Sequence, residues 1–276
     1  MGREAEFEVV PTRQPKKVLV LGGGAPGLHA AYYAAARGHE VTISTPDAFL
    51  GGQLALRARV PGQAELQRGV DHLCRQVERS GVQVRLRETL GADEVESSGY
   101  DVLIMGQEGE PVLPEALSLD GAQLTSALEV LSGDGNSGQN VAVLGGSLLG
   151  AETALYLAQQ GRQVTVLVGD GELAGDANPQ VKGQVGNRLR ELGVSAMAGA
   201  YLITAHGAMT KAGYPQEGTV EGVDTVVLAL GHESLPSHLQ GLDKGRFQGV
   251  HFLGDAYEAV ELSRLVYRGA KLGLEI

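Results

Sequence analysis

LGGGAPGLHAAYYAAARGHEVTISTPDAFLGGQL, residues 21–54, decides how this chain is read. Gly22, Gly24 and Gly27 fit G-x-G-x-x-G, with Ala25 and Pro26 completing the turn. The apolar run KVLVL precedes it, and an alanine-rich run ending at Arg37-Gly38 follows it. Strand, glycine turn and helix are therefore expected in that order. The first glycine lets the chain turn sharply out of the strand, and the second removes a side chain where a pyrophosphate approaches the backbone. The third lets helix and strand pack closely. The helix then offers free N–H groups and a partial positive charge to the phosphates. A second strand, 40–44, runs into Ser44-Thr45-Pro46, where such a unit usually carries an acid for a ribose.

The pattern occurs twice. The strand VAVL at 141–144 enters Gly145-Gly146-Ser147-Leu148-Leu149-Gly150, then a helix ending at Gln160-Gly161, then a strand at 163–167. The copies align without gaps: Gly22 on Gly145, Gly27 on Gly150, Gly38 on Gly161, Val41-Thr42 on Val164-Thr165. YDVLIM at 100–105 is echoed by VDTVVL at 223–228, each read as the last strand before a crossover. A single G-x-G-x-x-G is weak evidence; two, each between strand and helix, are strong. The expectation is an α/β chain of two nested Rossmann-like, three-layer domains. Ser147 takes the middle glycine's place in the second copy, and its small side chain is compatible with the turn.

Bulk properties exclude several classes. The chain has 276 residues, 43% hydrophobic, which suffices for real cores. A formal charge of -11 excludes a nucleic-acid partner and an anionic membrane surface. One cysteine, Cys74, leaves no disulfide framework, C-x-x-C pair or iron–sulfur and zinc cluster. It lies in a polar helical stretch, 67–79, and reads as a plain, partly buried thiol. The polar leader, 1–13, is not a secretory signal. Residues 18–36 are broken by three consecutive glycines and Pro26, so they are not a membrane span; a cytoplasmic location follows by elimination. His232-Glu233 and His238 form no H-E-x-x-H, and no metal site is expected.

The tandem resembles the pyridine-nucleotide–disulfide oxidoreductase architecture, in which an NAD(P) domain interrupts an FAD domain. The closing stretch GVHFLGDA, 249–256, resembles that family's late FAD motif, which implies roles for Gly254 and for Asp255 toward the ribityl chain; a helix over 260–272 follows it. A narrower resemblance covers nearly the whole chain. PKKVLVLGGG, GLHAA, ARGHEVTI, LGGQL, VAVLGGSLLGAETALYLAQQGRQVTVL and ELAGDA look like the C-terminal half of the 2,4-dienoyl-CoA reductase and trimethylamine dehydrogenase family. That resemblance implies a stand-alone subunit working with a separate FMN/4Fe–4S TIM-barrel flavoprotein. Residues 3–14 resemble the connector that follows the barrel.

Implied domains are 14–112 plus 232–276 for FAD and 113–231 for NAD(P)H. The first site takes Gly22, Gly24, Ala25, Pro26, Gly27, Ser44, Thr45, Gly51, Gly52, Gln53, Gly254 and Asp255. The second takes Gly145, Ser147, Leu148, Leu149, Gly150, Glu152, Asp170 and Gly231. Departures from the family pattern shape the alternatives. Thr45 stands where the ribose acid belongs, with Asp47 two residues on as a substitute. The first crossover reads Gly106-Gln107-Glu108, whereas the second keeps Ala229-Leu230-Gly231. Val168 ends the second copy's strand without an acid, and Asp170 as ribose acceptor leans to NADH. Glu152 is read either as a residue near the nicotinamide or as a first-turn acid favoured by the helix dipole. His29 is read as a packing or surface residue.

No catalytic residue is assigned, because the cofactors carry such chemistry. Three functions stay open. One is a flavoprotein subunit passing electrons between NAD(P)H and the barrel partner through FAD. Another is an ADP-holding docking subunit of an amine-demethylating complex, without redox chemistry of its own. The last is a nucleotide-free interaction protein.

Overall fold

The computed structural model describes residues 7–106, 110–114, 119, 121–204, 207–210, 222–233, 236–254 and 262–276. In chain order the elements are β1 (Lys17–Leu21), α1 (Ala25–Ala36), β2 (Glu40–Thr45), α2 (Gly52–Arg57), α3 (Ala64–Arg79), β3 (Gln83–Leu86), α4 (Ala92–Ser97) and β4 (Val102–Met105). Then come β5 (Gln123–Ser126), α5 (Ala127–Ser132), β6 (Asn140–Leu144), α6 (Leu148–Gln159), β7 (Gln163–Gly169), α7 (Pro179–Glu191), β8 (Ser195–Ala198), β9 (Ala200–Thr204) and β10 (Gly207–Thr210). The chain closes with β11 (Thr225–Leu228), β12 (Gly249–Phe252) and α8 (Leu262–Glu275).

Two compact units result. Unit one comprises Met1–Ala58, Ala64–Glu110 and Glu233–Ile276; unit two comprises Arg59–Gln63 and Pro111–His232.

Unit one holds a parallel sheet in the order β12-β4-β1-β2-β3. Alternate residues of one strand serve opposite faces. Val18 and Val20 join Leu28, Ala31 and Ala34 of α1 in one core, and Leu19 and Leu21 join Val95, Leu103 and Leu239 in another. A strand buried on both faces must be apolar throughout, which is why β1 reads as an unbroken run. α8 packs on α1 through Gly269 and Gly273, where a Cβ would run into the carbonyls of Pro26 and Ala30.

Unit two repeats the sheet as β5-β11-β6-β7-β8, again parallel. Its register is that of unit one: Val18 pairs with Val41 and Val102, and Val141 pairs with Val164 and Thr225. Strand starts are tied alike as well. The Asp101 carboxylate accepts from the Lys17 amide at 2.8 Å, and that of Asp224 from the Asn140 amide at 2.9 Å. In each sheet the strand order reverses beside the first strand of the copy, β1 or β6, the point where open α/β sheets bind ligands. β9 and β10 form a separate antiparallel pair. Among the described residues no helix is long and apolar enough to cross a membrane.

Candidate nucleotide sites

In unit one the turn after β1 is closed by backbone alone. The Gly22 amide donates to Ser44 O at 2.8 Å, and the Gly51 amide donates to Gly23 O at 2.7 Å. Gly24 and Gly51 form a bridge, so the structure brings Gly22–Gly27 and Gly51–Gln53 together. Gly51 has φ +105° and Gly52 φ +51°, and a Cβ on Gly51 would lie 2.7 Å from Val70 Cγ1. That pair of glycines therefore serves the protein's own packing.

Gly27 does too: its Cβ would sit 2.8 Å from Gly22 O and 3.2 Å from Val20 Cγ1. Gly24 is different. Its φ is -72°, open to any residue, and a Cβ there would meet only Pro26 Cδ at 3.9 Å. Nothing in the protein demands glycine at 24, whereas a pyrophosphate approaching the backbone does. No side chain caps α1 and no acid lies in its first turn.

The end of β2 is closed differently from the usual pattern. Ser44 and Thr45 are buried. The Ser44 hydroxyl donates to Glu88 O at 3.3 Å. The Thr45 hydroxyl donates to Asp47 Oδ2 at 3.1 Å and accepts from the Asp47 amide at 3.3 Å. Both hydroxyls are thus committed within the chain, and Thr45 serves by holding Asp47. Glu88 donates its amide to Thr45 O at 3.0 Å, and its Oε2 is buried without a partner. Glu88 lies just past β3, a short and mostly exposed strand, and is not singled out from the sequence. A dinucleotide fits these residues: an open glycine turn for phosphate, and acceptor oxygens at the strand end where ribose hydroxyls lie.

Gly106 sits at the end of β4, its amide donating to Leu21 O at 2.7 Å. A Cβ there would be 3.7 Å from Leu253 O and 3.9 Å from Gly27 Cα. Gly254, with φ +137°, follows directly, so it joins the same sheet edge as the turn. Asp255, Gln107 and Glu108 lie outside the described residues. His29 donates from Nδ1 to Ala25 O at 2.8 Å within α1, and burial lowers its pKa below the usual histidine value; it packs the helix. Burial, with Glu78 and Asp71 nearby, raises the pKa of the Cys74 thiol above its usual value.

Unit two has the same turn in another state. The Gly145 amide donates to Leu167 O at 3.0 Å, and a Cβ on Gly150 would run into Gly145 O. Ser147 caps α6, accepting from the Gly150 amide at 3.3 Å and donating to Ala229 O at 3.4 Å. The next amide, Leu148, donates to Asp176 Oδ1 at 2.6 Å. The Ala174 amide donates to Gly146 O at 2.6 Å, as Gly51 does to Gly23. Val168 packs over Gly146 as Thr45 does over Gly23. Asp170 is exposed on the turn after β7, and Asp176 is the acid that reaches α6. Gly231 has φ +99°, and its carbonyl accepts from Val112. Asp176 lies in the stretch ELAGDA, 172–177, but no role is assigned to it there.

Glu152 lies beyond the first turn of α6, which begins at Leu148, so the reading of it as a first-turn acid is corrected. It is wholly buried, and Gln63 Nε2 donates to its Oε1 at 2.9 Å. The short segment Arg59–Gln63 belongs to unit two. Arg59 donates to Leu131 O at 3.1 Å, and Pro61 O accepts from Arg188 at 2.9 Å.

Comparison with known proteins agrees with this geometry. Residues 16–243 match the family model described as pyridine nucleotide-disulphide oxidoreductase. All of the chain aligns, at 31% identity, with 43% of an NADH oxidase of Thermoanaerobacter brockii. Another 97% alignment, at 32% identity, covers 42% of a bilirubin reductase of Mediterraneibacter gnavus strain CC55_001C. Among solved structures, 2-naphthoyl-CoA reductase superposes with a TM-score of 0.87 at 26% identity, over 98% of this chain and 41% of that one. Histamine dehydrogenase from Rhizobium sp. 4-9 shares the fold, with a TM-score of 0.81 at 20% identity over 98% of this chain and 45% of that one. The chain spans less than half the length of each of these proteins, and it is similar to the FAD/NAD(P)-binding part of such larger flavin oxidoreductases. That family's members support binding of FAD and NAD(P)H in general. With two glycine turns at equivalent sheet edges and a family match over most of its length, the chain belongs to the pyridine nucleotide-disulphide oxidoreductase family.

Proposed function

We propose that the chain is the nucleotide-binding module of a flavin oxidoreductase, holding FAD in unit one and NAD(P)H in unit two, and that it relays electrons to a separate FMN/4Fe–4S barrel flavoprotein. The observation that carries this reading is the first turn: Gly24 is a glycine the protein itself does not need, beside an uncapped helix end. Gly22–Gly27 would take the pyrophosphate, Asp47 and Glu88 the adenosine ribose, and the edge at Gly106 and Gly254 the distal half. Bound FAD supplies exchange between two-electron and one-electron carriers. The chain's own residues bind and orient; unit two's turn, with Ser147 and Gly150, presents the second nucleotide.

The barrel partner rests on the sequence resemblance, together with the share of longer reductases and dehydrogenases that the chain covers. The test is the visible spectrum of the purified chain, with the extracted nucleotide identified and the barrel protein co-expressed. Near-stoichiometric flavin bleached by NADH or NADPH, with a recovered complex, is expected. A second reading, an ADP-holding docking subunit, uses the same residues, because ADP carries the phosphate and ribose groups that Gly24, Asp47 and Glu88 would meet. A colourless chain releasing ADP would select it.

A further inference from the structure

We propose that Asp176 obstructs unit two's turn: its carboxylate holds the place of a dinucleotide's pyrophosphate, and a nicotinamide nucleotide enters only by displacing it. This rests on the reading of unit two as the NAD(P)H unit. The site itself is the repeated glycine turn. What is new is its internal occupant.

The two copies make the comparison exact to the residue. Ala174 lies as far beyond Val168 as Gly51 lies beyond Thr45. Both donate their amide to the equivalent turn carbonyl, Gly146 O or Gly23 O, and both have positive φ, +51° and +105°. Gly51-Gly52-Gln53 therefore corresponds to Ala174-Gly175-Asp176. At the last position unit one has a neutral amide side chain and unit two a carboxylate. That carboxylate accepts from Leu148, the first residue of α6, at 2.6 Å. A helix's first amides are the donors that a phosphate takes in such a turn. A short charge-assisted bond to one of them both fills the donor and places negative charge where a second anion must come.

The segment bearing Asp176 is anchored. Glu172 pairs with Lys182 of α7, and Gly175 and Ala177 donate to Glu172 O and Ala174 O. Asn178 caps α7 by accepting from Val181 at 3.0 Å. Ala174 is buried to 1% exposure. Asp176 itself is exposed, so its side chain can swing into water without unpacking this anchor.

Binding of NADH and of NADPH to the full-length chain, measured by calorimetry, tests this with Asp176→Gln and Asp176→Asn, flavin content being read in the same samples. Asp176→Gln reproduces the residue of unit one and should bind NADH or NADPH at least about tenfold more tightly, the scale of one charge-assisted contact. Asp176→Asn keeps an acceptor for the Leu148 amide without the charge, so it should fall between, and it carries the test if the glutamine variant does not fold. Measurable affinities no tighter in either variant than in the wild type would overturn the role of Asp176 while leaving the NAD(P)H reading standing. Failure of every form to bind either nucleotide would overturn both, with flavin content showing whether unit one survives.

Discussion

The turn after β1 and the turn after β6 are built on one plan and finished in two ways. Strand register, the first-glycine bond, the third-glycine packing and the return of the following loop onto the turn are the same in both. They differ in what meets the helix end. In unit one Gly24 leaves α1 uncapped; in unit two the Ser147 hydroxyl and the Asp176 carboxylate satisfy two amides of α6. The shared features are the demands of packing a helix against a strand. The differing ones concern the first amides of each helix.

The largest effects should fall on what the turns share. Gly27→Val and Gly150→Val each put a Cβ into the carbonyl of the turn's first glycine, and overpacking of this kind costs about 1–3 kcal/mol or more. Urea denaturation should show both variants destabilised; a tolerated change in one unit alone would break the claim that the two turns are equivalent.

Gly24→Ala isolates the ligand's demand. With only Pro26 Cδ at 3.9 Å from the new methyl, stability should change by no more than about 0.5–1 kcal/mol. Flavin or ADP affinity should fall about tenfold, some 1.4 kcal/mol. Equal affinity by fluorescence titration would mean that no phosphate comes close at Gly24.

Thr45→Val makes the end of β2 like that of β7, where Val168 holds the equivalent place. It removes the hydroxyl that bonds Asp47 at 3.1 Å, so a loss of about 1 kcal/mol in stability is expected, with weaker nucleotide binding if Asp47 serves the ribose. Unchanged nucleotide occupancy would separate Asp47 from the ribose site.

The smallest effect is a pH dependence carried by three histidines of unit one. Burial lowers the pKa of His29, His39 and His251, with Arg37 and Lys16 adding to it at His39 and Lys16 at His251, which Glu275 opposes. His39 Nδ1 also accepts from the Lys16 amide at 3.1 Å, which only an unprotonated nitrogen can do. Below the usual histidine value of about 6.5 the unfolded chain binds more protons than the folded one, so stability declines as pH falls through that value. Urea midpoints should drop between pH 7.5 and about 5.5; a rise would contradict the assignment.

Periodicity and glycine spacing made the α/β class and the doubled βαβ opening legible, because an apolar strand and a glycine turn leave their mark on consecutive residues. β1, β2, β6, β7, β4 and β11 stand where the apolar runs place them. Elements with little signal were harder to read: β3 and β8 are short, mostly exposed edges, and β5 is a four-residue strand with its first two residues exposed. At the sites, Gly51-Gly52 was legible as a turn, but its partner Ala174-Gly175 was hidden, since an alanine at positive φ carries no glycine to announce it. Glu152 was seen without Gln63, and Leu148 without Asp176, because both contacts join residues far apart in the chain.

By itself, then, the sequence determined that two dinucleotide-type turns exist and that the first lacks its strand-end acid. Local geometry compels those features. Only the tertiary structure decided what each turn meets. Thr45 gives its hydroxyl to Asp47, a Cβ on Gly24 would meet only Pro26, and Asp176 closes on the amide of Leu148. Which donor a carboxylate reaches depends on where the returning loop lies in space, and neither composition nor spacing encodes that distance.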